Sequence, residues 1–224
     1  MSDKFTLIHW FRKGLRVHDN PALNRVFERA LKEPQRYCVR PVFVLDPAII
    51  QWLRVGANRW RFLQQSLEDL HQQLTALNSS LYVVRGNPKN VFPRLFEEWR
   101  TELLTFEEDI EPYAITRDKE IRDLAKKFKV EVLTYCSHTV YNPNVVIQKN
   151  MGKAPLTYQK FLATVEKLKV AAPEEKPQPL TNDQPPFDSL EKEDADCYKV
   201  PALEDLVKKL EDLGPIKFPG GIKA

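Results

Sequence analysis

Phe5-Thr6-Leu7-Ile8-His9-Trp10-Phe11-Arg12-Lys13-Gly14-Leu15-Arg16-Val17-His18-Asp19-Asn20-Pro21-Ala22-Leu23 reads as a strand, a loop and the start of a helix. Residues 5–10 are almost continuously apolar, which suits a strand buried on both faces. Asp19 or Asn20 can cap the helix, and Pro21 fits its first turn, where a missing amide donor does no harm. Further along the chain the pattern repeats. Residues 41–45, 81–84, 103–106 and 130–134 are strand candidates, and longer amphipathic stretches separate them. Short apolar runs alternating with helices predict a doubly wound, Rossmann-like α/β fold. The expected core is a five-stranded parallel sheet with helices on both faces.

The helix after the second strand is the best defined. Trp60, Leu63, Leu67, Leu70, Leu74 and Leu77 recur at spacings of three and four, with Arg61, Gln65, Glu68, Gln72 and Gln73 on the other face. Residues 91–99 and 114–128 supply two more helices. After Tyr135 the pattern changes. Residues 139–153 read as irregular chain with Asn-Pro turns, and 157–168 as a short amphipathic helix. Five prolines between Ala171 and Val200 mark a solvated, extended linker, with a turn or two of helix expected at 202–210. The predicted organisation is an α/β domain at 1–135, a closing segment at 136–170, and a linker with its end at 171–224.

Composition bounds the function only loosely. The chain has 224 residues, 42% hydrophobic and 29% charged, with a net charge of +3. Such a balance permits a nucleic-acid partner without arguing for one. Cys38, Cys136 and Cys197 are far apart and lack CxxC spacing, so they read as free thiols of a reducing compartment. The first apolar run is too short to span a bilayer and no cleavage site follows it. No membrane association is expected, and the nucleus or cytoplasm is the expected location.

A wound sheet places its ligand crevice beyond the carboxyl ends of its strands, where strand order reverses. The residues to inspect are therefore 11–16, 46–47, 85–88 and 107–111. With seven glycines in all, the chain has neither GxGxxG nor GxxxxGK[ST]. A glycine-loop phosphate site, and with it an unrelated nucleotide-binding protein of similar topology, is disfavoured.

Several ordered blocks resemble the photolyase and cryptochrome family: residues 10–23, Gly56-Ala57-Asn58-Arg59-Trp60-Arg61-Phe62-Leu63, residues 82–86, Asp109-Ile110-Glu111-Pro112-Tyr113, residues 136–143 and 152–162. Residues 37–47 and Gly152-Lys153-Ala154-Pro155-Leu156-Thr157-Tyr158-Gln159-Lys160-Phe161 look closest to the animal (6-4) DNA photolyases. Lys217-Phe218-Pro219-Gly220-Gly221 resembles the entry to that family's flavin-binding helical domain, but Ile222-Lys223-Ala224 stands where Glu-Thr-Glu is expected. The expectation is the α/β half of such a protein, without the half that carries FAD.

What the resemblance implies follows from that division. The family's reduced flavin passes an electron, on absorbing blue light, to a photoproduct flipped out of damaged DNA. The residues for that step belong to the helical domain, so no catalytic residue is assigned here, and the chain alone is expected to be inactive in repair. The α/β domain of some members holds an antenna chromophore, a deazaflavin or a folate. Arg12, Leu45, Asp46, Arg59, Phe62 and Asp109 are the matching candidates, an apolar wall with a few polar groups. Lys149, Lys153 and Lys160 match a region beside the family's DNA groove and are candidates for phosphate contacts, although each alone reads equally well as a solvated surface lysine. The rival expectation is a cryptochrome-like fragment that binds a signalling protein partner.

The remaining residues have plainer readings. His9 reads as a buried, hydrogen-bonded histidine and His71 as lying on the exposed side of its helix. His18 is expected to brace the first loop, and His138 to tie a loop to the sheet. None stands at metal-ligand spacing, so no metal is assigned. The tryptophans are expected to pack in the core, and Arg16 with Asp19 to shape the first loop.

Overall fold

The computed structural model describes residues 4–46, 55–181, 198–206 and 219–221. Five parallel strands, β1 (Phe5–Phe11), β2 (Tyr37–Leu45), β3 (Tyr82–Arg85), β4 (Thr101–Glu107) and β5 (Glu131–Tyr135), form one sheet in the order β3-β2-β1-β4-β5. The four long helices are α1 (Pro21–Lys32), α2 (Ala57–Thr75), α3 (Pro88–Glu98) and α4 (Pro112–Lys127). Alternate side chains of β1 divide between two cores. Leu7 and Phe11 join the core under α1 and α2, with Leu23, Phe27, Leu67, Leu70 and Leu74. Ile8 and Trp10 join the core under α3 and α4, with Phe92, Leu95, Phe106 and Ile121. The expected doubly wound fold is therefore the observed one.

Asn20 is the cap of α1: its side-chain oxygen accepts from the Leu23 amide at 3.0 Å, while Asp19 takes a left-handed φ of 47°. β2 starts at Tyr37, ahead of the expected 41, and carries Pro41 within it. The proline is tolerated because β3 pairs with β2 only from Val42 onward, so that side of the strand is open at Pro41. The α2 stripe is buried at Trp60, Leu67, Leu70 and Leu74 as expected, with Leu63 partly buried.

Two expectations need correction. Residues 139–153 contain a helix, α5 (Pro143–Lys149), because the Asn-Pro read as a turn is a cap. Asn142 accepts from the Asn144 amide at 2.9 Å and Pro143 takes the first helical position. His71 is half-buried, not on the exposed side: its Nδ1 accepts the Leu81 amide at 3.3 Å, because the start of β3 lies against α2. Burial lowers its pKa.

The short amphipathic helix is α6 (Tyr158–Val165), capped by Thr157, and α7 (Leu203–Leu206) falls within the expected 202–210. Among the described residues of the stretch read as a linker, 171–181 and 198–200 carry no helix or strand and are pinned at several points. Asp19 donates its amide to Glu174 O at 2.7 Å, Leu180 is buried and donates to Leu77 O, and Val83 donates to Tyr198 O at 2.8 Å. Tyr198 also packs against Tyr82 and Trp99. Farther on, the Gly220 amide donates to Gln65 Oε1 at 3.0 Å.

Trp10, Trp60 and Trp99 are buried, and Cys38 and Cys136 are free thiols. Trp52, Cys197, Pro47, residues 207–210 and the final Ile222-Lys223-Ala224 lie outside the described residues. Among the described residues there is no cluster suited to a metal ion, and no helix is long and apolar enough to cross a membrane.

Candidate functional site

Strand order reverses between β1 and β4, so the carboxyl ends of β2, β1 and β4 lie side by side. Arg12 follows β1 directly. Its guanidinium donates to Asp118 Oδ1 at 2.6 Å and to the Glu107 carbonyl, and it lies 5.0 Å from the Trp10 ring and 4.8 Å from the Phe106 ring. The Arg12 and Asp118 side chains are only 7% and 5% exposed, so this is a buried ion pair. Burial pulls the guanidinium below its ordinary pKa, against the pull of Asp118. Arg117 donates to the same carboxylate at 3.0 Å and lies over the same Trp10 ring. Arg12 thus holds the floor of the switch point together.

The next residue faces outward. Lys13 pairs with Asp109 at 3.0 Å and Glu111 at 2.8 Å. Burial pushes the Asp109 carboxyl up, but hydrogen bonds from Lys13 and the Glu111 amide, with the charges of Lys13 and Arg12, hold it below the usual carboxylate range. Gly14 follows because a Cβ there would meet the Glu107 carboxylate. Glu107 is buried, takes a hydrogen bond from the Ser137 hydroxyl, and has His138 Nε2 at 3.6 Å. The Ser137 hydroxyl, in place of the expected His138, ties that loop to the sheet, and Arg16 braces the first loop by donating to the carbonyls of His18, Asp19 and Ser137.

Leu45 ends β2 and Asp46 follows it, and both are buried. Across the edge, the Tyr113 hydroxyl donates to Asp46 Oδ2 at 3.3 Å, and burial together with Asp46 raises the phenol pKa. Arg59 is exposed and Phe62 is 51% exposed on the opening turns of α2. The structure therefore brings Arg12, Leu45, Asp46 and Asp109 to one sheet edge, with Arg59 and Phe62 carried separately by α2. Lys149 ends α5, Lys153 follows it, and Lys160 lies in α6. All three are exposed, and none forms an ion pair among the described residues.

Sequence reasoning missed Asp118, and it gave no role to Glu107 or Tyr113 although both fall in stretches it had marked. Asp118 did carry a signal: it is an acid on the stripe Ala114, Ile121 and Ala125, all buried. An acid at such a position needs a buried cation.

Comparison with known proteins identifies the family. Residues 7–180 match the DNA photolyase family, and the chain belongs to that family. It is 44% identical to cryptochrome-2 of Gallus gallus over 217 residues, covering 96% of this chain and 36% of that protein. Against cryptochrome-1 of Mus musculus the values are 43%, 96% and 34%. The chain thus spans about a third of the length of these relatives. The Synechocystis cryptochrome structure superposes with a TM-score of 0.71 at 21% identity, covering 96% of this chain and 43% of the other. The archaeal photolyase from Sulfolobus tokodaii, described with two FAD molecules and a novel light-harvesting cofactor, gives 0.63 at 28% identity over 78% and 37%.

Proposed function

We propose that this chain is the antenna-type α/β domain of a (6-4) photolyase-like protein of light-driven DNA repair. The family match over residues 7–180 carries the reading, and the resemblance of residues 37–47 and 152–161 to (6-4) photolyases favours that subtype. An antenna ring would use Leu45 as an apolar wall and Asp46 and Asp109 as acceptors for tail hydroxyls, with Phe62 beside it. These residues fit such a group in kind. Arg12 supports it from below, because its two terminal nitrogens are engaged by Asp118 and Glu107. A deazaflavin, a folate or a second flavin would supply only light absorption there. The flavin light-harvesting cofactor described for the Sulfolobus relative lends support to a planar ring. Lys149, Lys153 and Lys160 would meet DNA phosphates without reading bases. Electron transfer itself needs the FAD of the complete protein, so these 224 residues do not repair DNA alone. The nucleus or cytoplasm is the proposed location.

Titration with a deazaflavin, a folate and FMN tests the antenna site. One of them binds saturably and loses affinity in Asp46→Asn, whereas failure of all three removes the antenna role. Repair of a (6-4) photoproduct by the chain under blue light would overturn the rest. A second reading is a cryptochrome-like signalling fragment, favoured by the cryptochrome names of relatives at 44% and 43% identity. It predicts specific capture of a protein partner in place of salt-sensitive DNA binding.

A further inference from the structure

One oxygen at the carboxyl edge of the sheet is already claimed by a side chain. Asp46, directly after β2, is 4% exposed, and its Oδ2 accepts the Tyr113 hydroxyl at 3.3 Å. A carboxylate so far out of water is costly to leave short of donors. This donor comes from the opening turn of α4, 67 positions on in sequence.

Tyr113 itself is loosely held. Its ring is 57% exposed and joins neither core, with the Arg117 guanidinium 5.7 Å from its centre. Glu111, the cap residue of α4, makes no side-chain hydrogen bond to the first turn. Burial and the charge of Asp46 raise the phenol pKa, so the hydroxyl stays a donor at neutral pH. Its bond is longer than the about 2.5–2.7 Å usual for a hydroxyl on a carboxylate, and is correspondingly easy to exchange.

A ligand that reaches Asp46 Oδ2 therefore displaces Tyr113 and has to bring a donor of its own. A tail hydroxyl does so. A carboxylate or phosphate tail does not, and the cations beside it are engaged, Lys13 by Asp109 and Glu111 and Arg12 by Asp118. We propose that Tyr113 is a specificity-determining gate of the antenna crevice, its hydroxyl holding Asp46 until a hydroxyl of the ligand tail replaces it. The assignment rests on the antenna reading of that crevice.

Riboflavin and lumiflavin share a ring, but lumiflavin has a methyl group where riboflavin has its hydroxylated chain. Both are titrated into the whole chain by flavin fluorescence. Riboflavin binds saturably and lumiflavin about tenfold or more weakly. Tyr113→Phe tightens riboflavin by roughly three- to tenfold, the worth of the hydrogen bond that no longer has to be broken, and leaves lumiflavin unchanged. A Tyr113 with only a structural role would move both flavins alike. Riboflavin held no tighter by Tyr113→Phe, or an equal change for both flavins, overturns the gate while the antenna reading stands. Equal affinities of the two flavins for the unaltered chain do the same, as does saturable binding of a folate or a deazaflavin with riboflavin excluded. Failure of all four to bind removes the antenna reading, and the gate with it.

Discussion

The carboxyl edge of the sheet and the α5–α6 hairpin invert the usual distribution of side chains in opposite senses. At the sheet edge, charged groups are inside: Arg12, Asp118, Glu107 and Asp46 are almost wholly buried. On the hairpin, apolar groups are outside: Leu156 is 93% exposed, Met151 84% and Tyr158 70%. Each buried charge has an ion-pair or hydrogen-bond partner across elements distant in sequence, so its position is fixed by the fold. The hairpin's apolar groups have little packed against them, and their positions contribute little to stability. A buried charge costs several kcal/mol unless paired, whereas an exposed leucine is close to neutral. The edge is therefore where substitution is most damaging, and the hairpin is where surface chemistry can vary.

The largest expected effect breaks the edge. Asp118→Ala leaves Arg12 and Arg117 without their shared carboxylate, and stability in urea falls by about 3–5 kcal/mol. A loss below about 1 kcal/mol would mean that water reaches the pair and that the edge resembles the hairpin after all.

Acid is the next lever. His9 is fully buried and its pKa is pulled down from 6.5 to about 3 by burial, with Arg12 adding to the effect. Its Nδ1 lies 3.0 Å from Thr105 Oγ1, whose hydroxyl donates to the Ala22 carbonyl, and its Nε2 lies 3.4 Å from the Asn20 side chain. Thr105 must then accept, so the ring is neutral with its proton on Nδ1. The unfolded chain takes up a proton below pH 6.5 that the folded chain refuses until about pH 3. This group's contribution is intact above that window and is lost as pH falls through it, at up to about 1.4 kcal/mol per pH unit. His9→Gln flattens the acid limb of the stability profile by that amount, and an unchanged limb would place the acid sensitivity elsewhere.

A smaller effect sharpens the comparison at the chain's return onto α2. Gly220 sits against the Phe62 carbonyl and the Ser66 amide, and an added Cβ would collide with backbone. Gly220→Ala costs about 1–3 kcal/mol of overpacking, seen as faster amide exchange of α2 residues near Ser66. Gly152, on the hairpin, has nothing near an added Cβ, although its φ of 77° strains any other residue. Gly152→Asn therefore costs less, asparagine being tolerant of that region. Smallest of all, Leu156→Ser shifts stability by about 0.5 kcal/mol or less. A larger loss would show that the hairpin is packed more firmly than its exposure indicates.

Much of this was legible along the chain. The five strands, the α2 stripe, a cap at Asp19 or Asn20 and the blocks that resemble the photolyase family are local patterns, because backbone periodicity and capping involve neighbours in sequence. The α5 helix was missed because Asn-Pro signals a turn and a helix start with the same two residues. The pins at Leu180 and Tyr198 were missed because a proline-rich, charged stretch looks solvated whether or not a few of its side chains reach a core.

The sequence by itself determined a doubly wound α/β domain, its family and the edge on which to look for a ligand. Only the tertiary structure decided which charges are buried there. Arg12 and Asp118 are 106 positions apart, and no local pattern states that one neutralises the other. Folding brings them together inside a low-dielectric interior, where an unmatched charge is too costly to keep. The matching could therefore be read only after the strands and helices were in place.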